Sequence, residues 1–149
     1  MFEELIGKRS STVWNTIERG AVKKFADAIG DPHPIYIDPV FAANAGLKNN
    51  VAPPTFPVTF DYGTIEGLEL PKAGLIHGEQ GFEYKRPLYV GEELLCWSVL
   101  EKYQERKGKL GEMGFLFIKK VAEDESGEIV MTSTQIIIIS ETVRKGMKA

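Results

Sequence analysis

The chain has 149 residues, 43% of them hydrophobic and 26% charged, with a net charge of -3; this suits one domain with its own core and excludes a disordered polymer. Lys23-Lys24 and Lys119-Lys120 are isolated pairs rather than a basic patch, which argues against a nucleic-acid partner, and the single cysteine, Cys96, excludes a disulfide framework. The start "MFEELIGKRS" has neither the positive charge nor the apolar core of a secretory signal, and the longest apolar run, Ile136 to Ile139, is far too short to span a membrane, so a soluble cytoplasmic protein is expected.

In chain order, "STVWNTI" (11–17) alternates as an edge strand would. Val22, Phe25, Ala26 and Ile29 then fall at i, i+3, i+4 and i+7, one apolar helical stripe, and Gly30 stands where a C-terminal cap glycine belongs. Next comes the loop "GDPHPIYID" (30–38), with two aspartates, a histidine, a tyrosine and two prolines. Pro32 and Pro34 predict polyproline geometry here, which would turn Asp31 away from His33 and leave His33 and Tyr36 on one side. Asp38 precedes Pro39 and is expected to cap a short helix over "PVFAANA" (39–45).

The next unit is "VAPPTFPVTFDYGTIEGL" (51–68). After its prolines, Phe56, Val58, Phe60, Tyr62 and Ile65 place apolar groups on every side, which predicts a buried helix. The second half reads as strands at 77–86, 93–104, 110–122 and 128–140, parted by "PLYVGE", "RKGK" and "EDESG". Short turns between successive strands predict a four-strand antiparallel meander. No repeat or linker interrupts residues 1–140, a single domain, and 141–149 reads as a charged, frayed tail. An antiparallel sheet around a central buried α-helix is an α+β, hot-dog architecture. One copy leaves a sheet edge uncovered, so a homodimer or a heterodimer is expected.

The segments "GDPHPIYID", "FAANAG", "VAPPTF" and "HGEQGFEYKRPLYVGEEL" resemble the MaoC-like hydratase/dehydratase superfamily, and within it the FAS1-like dehydratase, or MaoC N-terminal-type, branch. The resemblance spans about Glu18 to Ser140. It implies (R)-specific dehydration of 3-hydroxyacyl thioesters, or hydration of enoyl thioesters, of coenzyme A or acyl carrier protein. The thioester is then the substrate, and no separate cofactor or metal is implied.

Such a reaction needs a base, an acid and an N–H donor for the thioester oxygen. In the family pattern "GD-x-N-P-x-H" supplies an aspartate and a histidine, and a following "HG" supplies the N–H at a helix start. Against that pattern Asp31 matches the aspartate, His33 falls at the asparagine and Tyr36 at the histidine. The "HG" pair falls at about Ala52-Pro53, and proline has no N–H to give. Tyrosine titrates near 10 and is a poor base at neutral pH.

The resemblance therefore implies a non-catalytic, acyl-binding half that works with a MaoC-like partner bearing the full aspartate–histidine pair. Asp31, Tyr36 and His33 are the candidate catalytic positions, and Phe56, Phe60, Tyr62 and His77 the candidate substrate-binding ones. Two alternatives stay open: a hot-dog acyl-CoA thioesterase with Asp31 activating water, and an acyl-thioester-binding module without chemistry. Lys85 and Arg86 are candidates for a nucleotide phosphate but read first as solvated, and Cys96 reads as a packed thiol. No cluster of histidine, cysteine or carboxylates has metal-ligand spacing, and there is no glycine-rich phosphate loop.

Overall fold

A computed structural model describes residues 2–109 and 111–148. Five strands form one antiparallel sheet: β1 (Val13–Thr16), β2 (Leu75–Tyr84), β3 (Glu93–Gly108), β4 (Gly111–Glu123) and β5 (Ile129–Ile139), in the order β1-β3-β4-β5-β2. The helices are α1 (Arg19–Ala28), α2 (Pro34–Ile37), α3 (Pro39–Asn44) and α4 (Glu141–Lys148). Leu110, the expected first residue of the third of these long strands, lies outside the described residues.

The meander holds for β3, β4 and β5 only. β2 pairs instead with β5, at the far edge from β1. The connection from β2 to β3 is no tight hairpin. Its Leu88 and Val90 are buried in the core, the Ala52 N–H donates to the Leu88 carbonyl at 2.8 Å, and the Val90 N–H donates to the Asn50 carbonyl at 2.9 Å. Ties to the 50–52 segment carry the chain across the sheet before it can turn back.

The expected helix after "VAPP" is not there. A 3-10 turn, Phe56–Thr59, is its only helical part, and irregular chain runs on to Gly74. Pro53, Pro54 and Pro57 cannot donate the N–H groups a helix start needs, and Gly63 (φ +77°) interrupts any continuation. A Cβ on Gly63 would fall 2.0 Å from the Ser11 carbonyl oxygen, so glycine is required at this close approach. The apolar pattern still reported burial correctly. Phe56, Tyr62 and Ile65 are 3%, 6% and 5% exposed, and they pack on the inner face of the sheet.

That inner face arises from the two-residue period of strands. Leu94, Cys96, Leu100, Leu116, Ile118 and Met131 share it. One end closes on α1 through Val22 and on the Phe56 turn; the other closes on Phe2, Leu5, Ile65 and α4. The expected frayed tail is in fact α4. Val143 and Met147 pack against the core, and buried Arg144 pairs with Glu105 and, at 3.2 Å, with Glu112. The sequence pattern missed this because only two apolar residues mark the helix's inward side. No helix among the described residues is long and apolar enough to cross a membrane.

Candidate functional site

The site begins at the end of α1. The Gly30 N–H donates to the Asp27 carbonyl at 3.1 Å and the Asp31 N–H to the Ala26 carbonyl at 2.9 Å, with Gly30 at φ +73°. These two bonds and the left-handed glycine make a Schellman cap, which fixes the backbone of Asp31.

The expected polyproline course stops at His33. Pro34 begins α2 instead, because its fixed φ suits a first helical position as well as an extended one. The His33 Nδ1 caps this turn by accepting from the Ile35 N–H at 3.1 Å. Its ring stands edge-on to Phe41 at 5.4 Å and to Tyr36 at 6.1 Å. The turn brings the Tyr36 side chain back over Asp31, and the phenol donates to Asp31 Oδ2 at 3.4 Å. Burial first, and the Asp31 charge second, push the Tyr36 phenol above its ordinary pKa. It is a protonated donor at neutral pH. Asp38 caps α3 as expected, accepting from the Val40 N–H at 2.9 Å.

Buried Asn50 holds this loop to the body of the protein. Its Nδ2 donates to the carbonyls of Ile35 at 2.8 Å and Asp38 at 2.9 Å, and its Oδ1 accepts from Arg19 at 2.7 Å.

Beside Tyr36 lies an opening of about 450 Å³. Its walls include Ile35, Ala52, Pro54, Tyr84 and Leu88, with Lys85 among its polar lining residues. The Tyr84 phenol donates to the Pro54 carbonyl, and burial pushes its pKa up to about 12. The N–H of Ala52 is spent on Leu88, and Pro53 and Pro54 have none. The 52–54 segment therefore offers no backbone donor to a thioester oxygen.

Of the candidate catalytic residues, Asp31 and Tyr36 come together and Tyr36 lines the opening, whereas the His33 Nδ1 is occupied by its own turn. The four candidate substrate-binding residues do not line this opening. Phe56 lies in the core, Phe60 and Tyr62 line a separate cavity, and His77 sits on the outer strand β2, bonded to Gln80 at 3.1 Å and Gln135 at 3.4 Å. Arg86 is not solvated as expected. It pairs with Glu92 at 2.7 Å and Asp124 at 3.7 Å, which removes it as a phosphate contact. Cys96 is fully buried, and burial raises its thiol pKa to about 12. Among the described residues no three histidine, cysteine or carboxylate side chains are grouped to hold a metal.

Sequence reasoning missed Tyr84 and Asn50. Tyr84 was visible only as one more alternating strand residue in "FEY". Asn50 sits in "KNN", where nothing local distinguishes a buried amide from a turn residue.

Known proteins bear on both fold and family. The fold is similar to that of a truncated HadBC (3R-hydroxyacyl-ACP dehydratase) complex from Mycobacterium tuberculosis, with a TM-score of 0.79, 21% identity and coverage of 93% of this chain and 99% of that one. It is similar too to the ChsH1-ChsH2 complex from the same organism, with a TM-score of 0.74, 22% identity and coverage of 89% and 84%. In sequence the chain is 33% identical over 129 residues to a UPF0336 protein of Thermobifida fusca, covering 83% of this chain and 82% of that protein. The model of the FAS1-like dehydratase domain region matches residues 4–133, and the chain belongs to that family of MaoC-like hot-dog proteins.

Proposed function

We propose that the chain is the non-catalytic, acyl-binding half of an (R)-specific 3-hydroxyacyl-thioester dehydratase or enoyl-thioester hydratase, paired with a MaoC-like catalytic partner. The observation that carries this is the Asp31–Tyr36 pair, whose Tyr36 lines an apolar opening, with a phenol where the chemistry needs a base. Burial and the Asp31 charge both keep that phenol protonated. The lack of an N–H donor at 52–54 is a second, independent loss, since an oxyanion donor contributes a large share of such rate enhancements. The opening keeps what binding needs, a mostly apolar wall with a few polar groups. The long unpaired edge of β2 offers ladder donors and acceptors to another chain. Two fold neighbours are described as complexes of two components, HadBC and ChsH1-ChsH2.

The test is hydration of crotonyl-CoA, followed by loss of enoyl absorbance. The expected result is no turnover by the purified chain alone, binding of the acyl-CoA, and turnover when a MaoC-like subunit with an intact aspartate–histidine pair is added. Turnover by the chain alone that Asp31→Asn abolishes would overturn the reading. Release of free thiol from acyl-CoA, lost in the same variant, would replace it with a thioesterase.

A further inference from the structure

A second cavity, of about 320 Å³, lies between the irregular 60–70 segment and the inner face of the sheet. In register, Ser98 on β3 pairs with Lys120 on β4, and Lys120 with Ser133 on β5. These three residues form one polar row across the central strands. The row on one side holds buried Leu100 and Ile118 and ends at Gln135; the row on the other holds Cys96, Ala122 and Met131, all three buried. A polar row on an inner face that is otherwise mostly apolar is unusual unless its groups are satisfied.

They are satisfied only in part. Ser133, which is not among the residues lining the cavity, is 2% exposed, and its hydroxyl has no hydrogen-bond partner. The Ser98 hydroxyl reaches only the Tyr62 carbonyl, at 3.4 Å. Among the described residues no carboxylate pairs with Lys120, whose ammonium lies 5.0 Å from the centroid of the Tyr62 ring. Burial lowers the Lys120 pKa, as expected of a cation that has lost water without gaining an anion.

We infer that this cavity binds the carboxylate end of an aliphatic acid, with Lys120 as its cation. Ser98 and Gln135 stand at the polar wall, and Phe60, Ile65 and Leu68 supply an apolar wall for the carbon chain. Asp61 also lines the cavity, its carboxylate accepting from the Gly63 N–H at 3.0 Å. A lining with one lysine and one aspartate disfavours a dianion such as phosphate, and the apolar wall disfavours a bare inorganic ion. A monoanion with a hydrocarbon body fits both. The cavity shares no lining residue with the opening beside Tyr36, so the inference stands apart from the acyl-thioester reading.

The experiment is calorimetric titration of the intact chain with hexanoate and with hexanol, alongside NMR of lysine-labelled protein to follow the Lys120 side chain. Hexanoate is expected to bind at least about tenfold more tightly than hexanol and to shift the Lys120 signals. Lys120→Met is expected to abolish that preference while leaving hexanol binding in place, and Lys120→Arg to retain it. Equal affinity for the two probes, a Lys120 signal that does not move at millimolar hexanoate, or unchanged hexanoate binding in Lys120→Met would each overturn the inference. The wild-type NMR result decides the matter even if Lys120→Met does not fold. No thioester enters any of these measurements, so their failure is separate from failure of the dehydratase reading.

Discussion

The phenol of Tyr36 donates to the carboxylate of Asp31 across 3.4 Å, five residues back along the chain. One turn of helix makes the contact, and the contact sets what this pair can do. A carboxylate that faces a protonated phenol has a donor beside it rather than a second base.

Tyr36→His would place an imidazole within reach of Asp31. It would still leave Ala52 bonded to Leu88 and two prolines after it. The expected outcome is crotonyl-CoA hydration at background for this single variant. An enoyl-absorbance assay showing clear turnover would mean that the N–H donor is dispensable or is supplied from elsewhere.

Asn50 is fully buried and makes three side-chain hydrogen bonds that fasten α1, α2 and α3 to one another. Asn50→Ala leaves two carbonyls and the Arg19 guanidinium short of partners and is expected to cost about 2–4 kcal/mol. Asn50→Asp is expected to be at least as damaging, because its oxygens would face carbonyl oxygens that need a donor. Urea unfolding measures both; a cost below about 0.5 kcal/mol for either would remove Asn50 as the fastening point.

Much of the fold was legible because strand periodicity is local. Gly30 announced the end of α1, and Asp38 announced the start of α3, since both act on backbone groups within a few residues. The 56–65 segment was legible only in half. Its apolar residues revealed burial, but a segment enclosed by a sheet is apolar all round whether helical or not, and the three prolines decided between the two. The place of β2 beside β5 was not legible, because it depends on where Leu88 and Val90 bury rather than on any turn. For the same reason the site was legible at Asp31 and Tyr36 and dark at Tyr84, which meets Pro54 from thirty residues away.

Two acids shielded from water in the folded chain, Cys96 fully and Tyr84 only in part, make the fold sensitive to alkali. Burial raises the Cys96 thiol from 9.0 to about 12 and the Tyr84 phenol from 10.0 to about 12. Both groups hold their proton more tightly folded than unfolded. Their contribution is therefore complete below about pH 9 and falls away as pH rises towards about 12. Thermal melts should lose stability across that window, and Cys96→Ala should flatten its lower part. A melting temperature unchanged up to about pH 11 would contradict the burial of Cys96.

Gly63→Ala tests the close approach to Ser11. The added methyl meets a backbone oxygen at a φ of +77°, and neither atom can rotate away. A loss of at least about 2 kcal/mol is expected. Gly20→Ala, on α1 with nothing near its added Cβ, should be neutral or stabilising. Equal melting temperatures for the two variants would contradict the contact.

The irregular run from Phe60 to Gly74 governs how this interior can diverge among relatives. A helix locks its residues to a 3.6-residue phase, so gaining or losing one residue rotates every side chain beyond it. A run tied down by scattered bonds, such as Ser11 to Thr64 and Leu68 to Ile65, has no phase to lose. Insertions and deletions there should alter the floor of the inner cavity one residue at a time, leaving the strands in register and changing the length of the molecule that fits without changing the sheet that holds it.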